Sequence, residues 1–260
     1  MSTRIDNAKA LYLEGIRDGN VREAVRKYTG DRYTQHSTGV ADGAEGFIEF
    51  FEPFIERNPD RDIQIVRAIE DGQYVFLHVY QSLNGGQSKW VTTDLFDTDE
   101  HGRIVEHWDV ISPWVATTVS GHTQIDGPTQ ITDPHKTEQN KALIREFLSE
   151  VLQKGHGERI TDFISADSYV QHNPEVGDGI AGLQTFLGQL AERGQSMVYE
   201  EVFKLVGQGN FVVSYSRVAL GGQQLAVFDI FRLDDGLIVE HWDNMEPIPT
   251  PEQARNSGKF

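Results

Sequence analysis

An aspartate, a histidine and a second aspartate stand where acid/base chemistry could use them, and the chain carries this set twice. His107 and Asp109 are two residues apart in an apolar run, so both side chains emerge on one face of a strand. Asp94 lies in the preceding apolar run, which hairpin pairing brings alongside. The second set is Asp229, His241 and Asp243. Because imidazole titrates near neutral pH and a desolvated carboxyl group has a raised pKa, each set predicts proton transfer.

A purely structural interpretation of these residues stays open. A buried aspartate is costly without a partner, and backbone N–H groups or an arginine such as Arg232 could satisfy Asp94 and Asp229. His241 and Asp243 could likewise pair only with each other and with the sheet.

A second pair of histidines recurs with these sets. His36 and His172 each end an aromatic and polar stretch and precede a loop. A histidine at a loop edge is usually solvated, but its recurrence with the other members favours a pocket role. Trp108 and Trp242 alternate to the opposite strand face, where we expect core aromatic residues.

Other chemistries leave weaker traces in the chain. His36, His107 and Asp94 could imitate a metal site of two histidines and one carboxylate, but their spacing resembles no helical metal-ligand motif. Cysteine is absent, and no dinucleotide-binding glycine motif, phosphate-binding loop or serine nucleophile motif occurs. We therefore expect neither a metal nor an organic cofactor.

The repetition extends well beyond the candidate site. Tyr33-Thr34-Gln35-His36 recurs as Tyr169-Val170-Gln171-His172 at an offset of 136, and the run 104–109 recurs as 238–243 at an offset of 134. Drifting offsets are expected when loop lengths change after duplication. We predict a first domain at 1–113, a linker at 114–136, a second domain at 137–246 and a C-terminal tail at 247–260.

Each unit places helices before strands, which predicts the α+β class. The predicted helices cover 5–18, 20–28 and 43–57, then 137–154, 157–164 and 179–193. The predicted strands cover 61–70, 73–83, 88–97 and 103–111, then 197–206, 210–220, 223–233 and 237–245. Both faces of residues 225–231 are largely apolar, so a second sheet should cover the face that the helices leave free. We therefore predict a pseudo-dimer within one chain.

The charge balance argues against two classes of partner. The 260 residues include 23 Lys and Arg against 40 Asp and Glu, a net charge of −17. Nucleic acids and anionic membranes attract clustered basic charge, so neither is expected as a partner. An apolar leader or a long apolar run is lacking, and the expected location is the cytoplasm. A further homodimer is left open.

The motifs resemble those of the SnoaL-like polyketide cyclases of the nuclear-transport-factor-2-like superfamily. The resemblance is carried by the runs 169–174, 226–232 and 238–243. It covers nearly all of 137–246 and, more loosely, 5–113. It implies a cone-shaped α+β barrel, no cofactor, and an aspartate as acid/base in an intramolecular aldol condensation. Other branches of the family are isomerases, dehydratases, epoxide hydrolases or binding modules.

The resemblance also implies roles for individual residues. Asp243 and Asp109 occupy the position that resembles the catalytic aspartate. The residues implied to line the two pockets are His241, His107, Asp229, Asp94, His172 and His36. The first unit departs from the pattern, because Ser37-Thr38 replaces Asn173-Pro174.

Two functions follow from this reading of the sequence. The first is a cofactor-independent cyclase, isomerase or lyase acting on a small hydrophobic carbonyl compound. Asp243 or Asp229 would remove a proton, while His241 and His172 would stabilise the enolate or return the proton. The alternative is a non-catalytic module that binds a small hydrophobic molecule, with the same polar residues only orienting the ligand.

Overall fold

A computed structural model describes residues 3–260, which divide into two compact units. The first unit comprises the described residues up to Pro113 together with Ile248–Phe260, and the second is Trp114–Pro247. The tail thus belongs to the first unit, although it follows the second in sequence. Met1 and Ser2, part of the predicted first domain, lie outside the described residues.

The first unit has helices and one strand, followed by four further strands. Helix α1 (Thr3–Ala10) continues as π-helical turns over Leu11–Arg17, and α2 is Val21–Tyr28. Strand β1 (Thr29–Gln35) and α3 (Gly43–Arg57) come next. The remaining strands are β2 (Arg61–Asp71), β3 (Tyr74–Leu83), β4 (Ser88–Thr98) and β5 (Ile104–Pro113).

The second unit repeats this order. A 3₁₀ turn at Pro134–Lys136 leads into α4 (Thr137–Phe147), which continues as π-helical turns over Leu148–Gln153. A 3₁₀ segment (Gly157–Asp162), β6 (Val170–Gln171) and α5 (Gly179–Glu192) follow. The strands are β7 (Met197–Gln208), β8 (Phe211–Leu220), β9 (Gln223–Asp234) and β10 (Leu237–Pro247). A 3₁₀ turn at Pro251–Gln253 lies in the tail.

Each unit contains one five-stranded open sheet. The strand orders are β1-β5-β4-β3-β2 and β6-β10-β9-β8-β7. The predicted α+β class is confirmed, and the long strands form antiparallel meanders. The sequence pattern did not indicate β1 and β6, which pair in parallel with β5 and β10. Strand β1 is largely polar and β6 has two residues, so neither shows the apolar alternation that predicts a strand.

The helices pack on one face of each sheet because their apolar residues share a side. Ala8, Leu11, Tyr12 and Ile16 recur at helical spacing and are all buried. Burying a large apolar side chain contributes about 1.5 to 3 kcal/mol, so this face holds the helix on the sheet. No described helix is long and apolar enough to cross a membrane.

Two repeated glycines mark a close approach of backbone to a helix. A Cβ atom on Gly46 of α3 would lie 2.1 Å from the Ala41 carbonyl oxygen. A Cβ atom on Gly182 of α5 would lie 2.0 Å from the Gly177 carbonyl oxygen. Only glycine fits at such distances. The close contact near the start of the helix occurs in both units, which explains why both have glycine at this position.

Candidate active site

Strand pairing brings the three predicted side chains together in each unit. Asp94 of β4 lies directly opposite Asp109 of β5, and Asp229 of β9 lies directly opposite Asp243 of β10. Each histidine shares the face of the second aspartate, two residues earlier on its strand. The two resulting clusters, with ligand-type atoms all within 4.8 Å of one another, are Asp94, His107 and Asp109, and Asp229, His241 and Asp243.

Hydrogen bonds at both ring nitrogens fix His241 in the second unit. Its Nδ1 lies 3.0 Å from Gln171 Oε1, and its Nε2 lies 3.2 Å from Asp229 Oδ1. The Gln171 amide donates to the hydroxyl of Tyr169, which orients Oε1 as the acceptor towards His241. Since Oε1 can only accept, Nδ1 carries a proton. Strand β6, unpredicted from the sequence, therefore positions the imidazole.

Asp229 is surrounded by donors. Its Oδ1 accepts from the Tyr199 hydroxyl at 2.9 Å, and its Oδ2 accepts from Ser214 Oγ at 3.0 Å. These neighbours come from β7 and β8, so the sheet satisfies the buried carboxyl group on the helix side. Proximity to Asp229 and burial raise the pKa of Tyr199, with burial the larger cause, so its hydroxyl stays protonated and donates.

Asp243 has the titration behaviour expected of a general base. Burial raises its pKa to about 6, against the opposing effects of His241 and of the Asn173 amide, which donates to Oδ2 at 2.6 Å. Burial lowers the pKa of His241, but its hydrogen bond to Asp229 and the charges of Asp243 and Asp229 outweigh burial and raise it. The second unit thus pairs a carboxyl group whose pKa is about 6 with an imidazole whose raised pKa favours its positively charged form.

The first unit repeats the histidine arrangement with a different donor. His107 Nδ1 lies 2.9 Å from Gln35 Oε1, and its Nε2 lies 2.9 Å from Asp94 Oδ1. The hydroxyl of Tyr12 lies 2.9 Å from both carboxylate oxygens of Asp94. Tyr12 lies in the π-helical turns that continue α1, a widened helical geometry that often occurs at functional sites. Burial raises the pKa of Asp94 above its ordinary value.

Asp109 differs from Asp243 in its partner. Lys259, from the tail, donates from Nζ to Asp109 Oδ1 at 2.8 Å and to the Asp109 carbonyl oxygen at 2.9 Å. Burial would raise the pKa of Asp109, but Lys259 and His107 outweigh burial and hold it below its ordinary value. Asp109 is therefore a carboxylate at neutral pH.

A cavity of about 260 Å³ opens onto the cluster of the first unit. Asp94, His107 and Asp109 line it together with Tyr12 and Gln35. Most of the remaining wall is apolar and includes Leu11, Ile16, Phe47, Phe50, Phe51, Phe54, Leu83, Trp90 and Phe96. An apolar wall with a few convergent polar groups is typical of a small-molecule site.

His36 and His172 lie away from these clusters. His36 stacks on Trp108 and pairs with Glu106 at 3.0 Å, and it is not among the residues that line the cavity. His172 stacks on Trp242 and pairs with Glu240 at 2.9 Å. Because side chains alternate along a strand, Glu106 and Trp108 face away from His107 and Asp109. In the structure, Nδ1 of each of these histidines lies within hydrogen-bond distance of a backbone carbonyl oxygen, that of Gly258 for His36 and that of Thr123 for His172.

The contacting residues that sequence reasoning missed include two glutamines, two tyrosines, one serine (Ser214) and one lysine. Gln35 and Gln171 stand in the repeated run beside the histidines, so the repeat itself could have indicated them. Tyr12 and Tyr199 come from non-equivalent elements and leave no repeat signal. Lys259 lies in a tail that has no strand or helix pattern.

The donor sets could in principle bind a metal ion, since each offers two carboxylates and one imidazole. Both ring nitrogens of His107 and of His241 are already engaged with a glutamine and an aspartate. Ligation would require one of these hydrogen bonds to break. The geometry therefore fits proton transfer better than metal binding.

Comparison with known proteins agrees with the duplication. Residues 10–107 and 144–241, about three quarters of the chain, each match the family model of the SnoaL-like domain. The resemblance noted in the sequence is thereby confirmed. A comparison with proteins of curated function finds no match.

Three solved structures with a similar fold illustrate the likeness, and each of the three covers less than half of this chain. One from Bacillus cereus ATCC 10987, named for the polyketide cyclases, is 16% identical, covers 42% of this chain and 74% of its own, and has a TM-score of 0.38. Wild-type IdmH from Streptomyces antibioticus, also named for that class, is 17% identical. It covers 41% of this chain and 90% of its own, with a TM-score of 0.35. One from Kribbella flavida DSM 17836, named for the ketosteroid isomerases, is 21% identical. It covers 45% of this chain and 84% of its own, with a TM-score of 0.38.

Proposed function

The chain belongs to the SnoaL-like domain family, and we propose that its second unit is a cofactor-independent acid/base site for a small apolar carbonyl compound. The observation that carries this proposal is Asp243, a carboxyl group whose pKa burial raises to about 6, within reach of the His241–Asp229 pair. A general base works best when its pKa lies near the working pH.

The geometry supports a proton-transfer cycle on Asp243. Its carboxylate takes the proton alpha to the carbonyl group, and the C–H electron pair forms the enolate as the oxygen gains negative charge. The positive charge of His241, held in place by Gln171 and Asp229, stabilises that enolate. The protonated Asp243 then returns the proton to carbon in an isomerisation. In a ring closure, the enolate carbon instead attacks a second carbonyl carbon, and the alkoxide that forms there takes the proton.

The first unit supports the choice of substrate class. Its cavity of about 260 Å³ has a mostly aromatic and aliphatic wall and few polar groups. Such a wall favours a compact, largely apolar ring compound over a sugar or a phosphate ester, which need many polar partners. The corresponding residues of the second unit derive from the same duplicated sequence.

Exchange of alpha protons for deuterium tests the proposal without knowledge of the natural substrate. The probes are small monocyclic and bicyclic ketones in deuterated buffer, followed by proton NMR. We expect exchange above the buffer rate with the unaltered protein and a loss of about 100-fold or more in Asp243→Asn, the usual size of a general-base contribution. Asparagine can keep the contact with Asn173, so the fold should survive.

The matched control is Asp167→Asn, which removes the same charge from an exposed loop of the second unit. Exchange should be unchanged in that variant. Exchange that persists in Asp243→Asn would remove Asp243 from the mechanism. Ketone binding without any exchange by the unaltered protein would instead support the non-catalytic binding module.

A further inference from the structure

The tail is tied to residues 36–40 of the first unit by a series of hydrogen bonds. The Arg255 N–H donates to Thr38 O at 2.9 Å, and the Asn256 amide donates to Ser37 O at 2.7 Å and Val40 O at 2.8 Å. His36 Nδ1 lies 2.7 Å from Gly258 O. These contacts involve the residues just before Lys259, whose side chain reaches Asp109 of β5.

Lys259 is buried as a charged group. Its side chain is 2% exposed and that of Asp109 is 5% exposed, with Nζ 2.8 Å from Oδ1. Burying an ammonium group costs several kcal/mol unless it is paired and hydrogen-bonded. The two contacts to Asp109 offset that cost. The location of the Lys259 ammonium group is therefore determined by Asp109 and not by solvent exposure.

Burial disfavours a negative charge on Asp109, whereas Lys259, His107 and a hydrogen bond from the Ser37 side chain favour it. The titratable or charged groups near it are His107 on its own strand, Asp94 on β4, Tyr12 from the helix, Tyr33 on β1 and Lys259 from the tail. Asp94 lies directly opposite on the neighbouring strand, and two carboxylates this close repel each other. Lys259 adds a full positive charge in direct contact with Asp109.

We propose that Lys259 is a positioning residue of the first unit's site: its ammonium group ion-pairs with Asp109 and occupies the carboxylate oxygen that would otherwise accept a proton from a substrate. The first unit then binds an apolar molecule in its cavity without using Asp109 as a base, while the second unit keeps Asp243 for chemistry. In the second unit the corresponding aspartate accepts from the neutral amide of Asn173. The consequence for catalysis rests on the proposed function, whereas the charge state of Asp109 does not.

Carbon-13 NMR of carboxyl-labelled aspartate in the full chain tests the charge state directly. The Asp109 signal is assigned by its loss in Asp109→Asn. Between about pH 5 and pH 8 we expect this signal to stay constant in the unaltered protein and to titrate in Lys259→Met. In Lys259→Arg, which keeps the charge, it should again stay constant.

Each result decides the proposal. An Asp109 signal that stays constant in Lys259→Met, or that already titrates in this range in the unaltered protein, overturns it. Lys259→Met leaves a buried carboxylate unpaired and could prevent folding at neutral pH. In that case the double variant Asp109→Asn with Lys259→Met should fold again; a double variant no more stable than the single one overturns the proposal too.

A second measurement separates this inference from the proposed function. In the Asp243→Asn background, Lys259→Met should raise ketone exchange about tenfold or more, because Asp109 becomes available as a base. If the unaltered protein exchanges no ketone, the proposed function fails. The inference then still stands or falls on the NMR titration alone.

Discussion

At the scale of single residues, the two sites use the same side chains with different charge states. Asp243 titrates near pH 6, and Asp109 is held ionised by Lys259. Because the cluster itself repeats, the sequence alone predicts two equivalent sites. The residues that contact the two clusters nevertheless differ, with Asn173 beside Asp243 and Lys259 beside Asp109. A single residue outside the repeat therefore separates their chemistry.

The ionisation of Asp243 and His241 predicts a bell-shaped pH dependence for ketone exchange. The rate should rise with pH through about 6 as Asp243 loses its proton. It should fall again above the raised pKa of His241, because the imidazole then loses its positive charge. Exchange rates measured across the pH range check this, and His241→Ala should remove the upper limb. A profile that lacks both limbs would contradict the assignment.

Removal of single hydroxyl groups tests the support of the buried aspartates. Tyr199→Phe and Tyr12→Phe each take one donor from Asp229 or Asp94 without changing the ring. We expect each to lower the free energy of unfolding by about 1 to 3 kcal/mol, because a buried acceptor loses its partner. Urea unfolding measures the effect. Tyr80→Phe, on a partly exposed side chain, serves as the comparison, and equal losses in all three variants would argue against a special role.

At the scale of elements, periodicity predicted the long helices and strands but not the short strands that position the histidines. The helix over 43–57 and the four long strands of each unit lie close to their predicted positions. Strand β1 is largely polar and shows no apolar alternation, so its role became visible only through its pairing with β5. Gln35 and Gln171 reach the site because of that parallel pairing. This part of the site is therefore determined by contacts between residues far apart in the sequence, and not by local sequence patterns.

Helix α5 offers a paired test of the repeated glycine. Gly182→Ala would place a Cβ atom 2.0 Å from the Gly177 carbonyl oxygen, while Gly188→Ala meets nothing within 4 Å. We expect the first variant to lower the free energy of unfolding by about 2 kcal/mol or more through backbone displacement. The second should raise it by about 0.5 to 1 kcal/mol, since alanine favours the helix. Thermal unfolding of both variants checks the sign, and the same sign in both would refute the steric explanation.

For the whole molecule, the open question is whether one chain is enough to cover both faces of its sheets. Both strand faces of β9 are buried within a single chain, including Phe228 and Ile230 on the parity opposite Asp229. The packing of the two units as a pseudo-dimer stays a prediction that follows from these apolar faces. A pseudo-dimer within one chain would cover these faces without a second chain, so this prediction leads us to expect a monomer of 29.3 kDa in solution. Sedimentation velocity over about a hundredfold range of concentration measures this. A stable species of twice the mass would show that a second chain covers further apolar surface, and the duplicated chain would then form a true dimer.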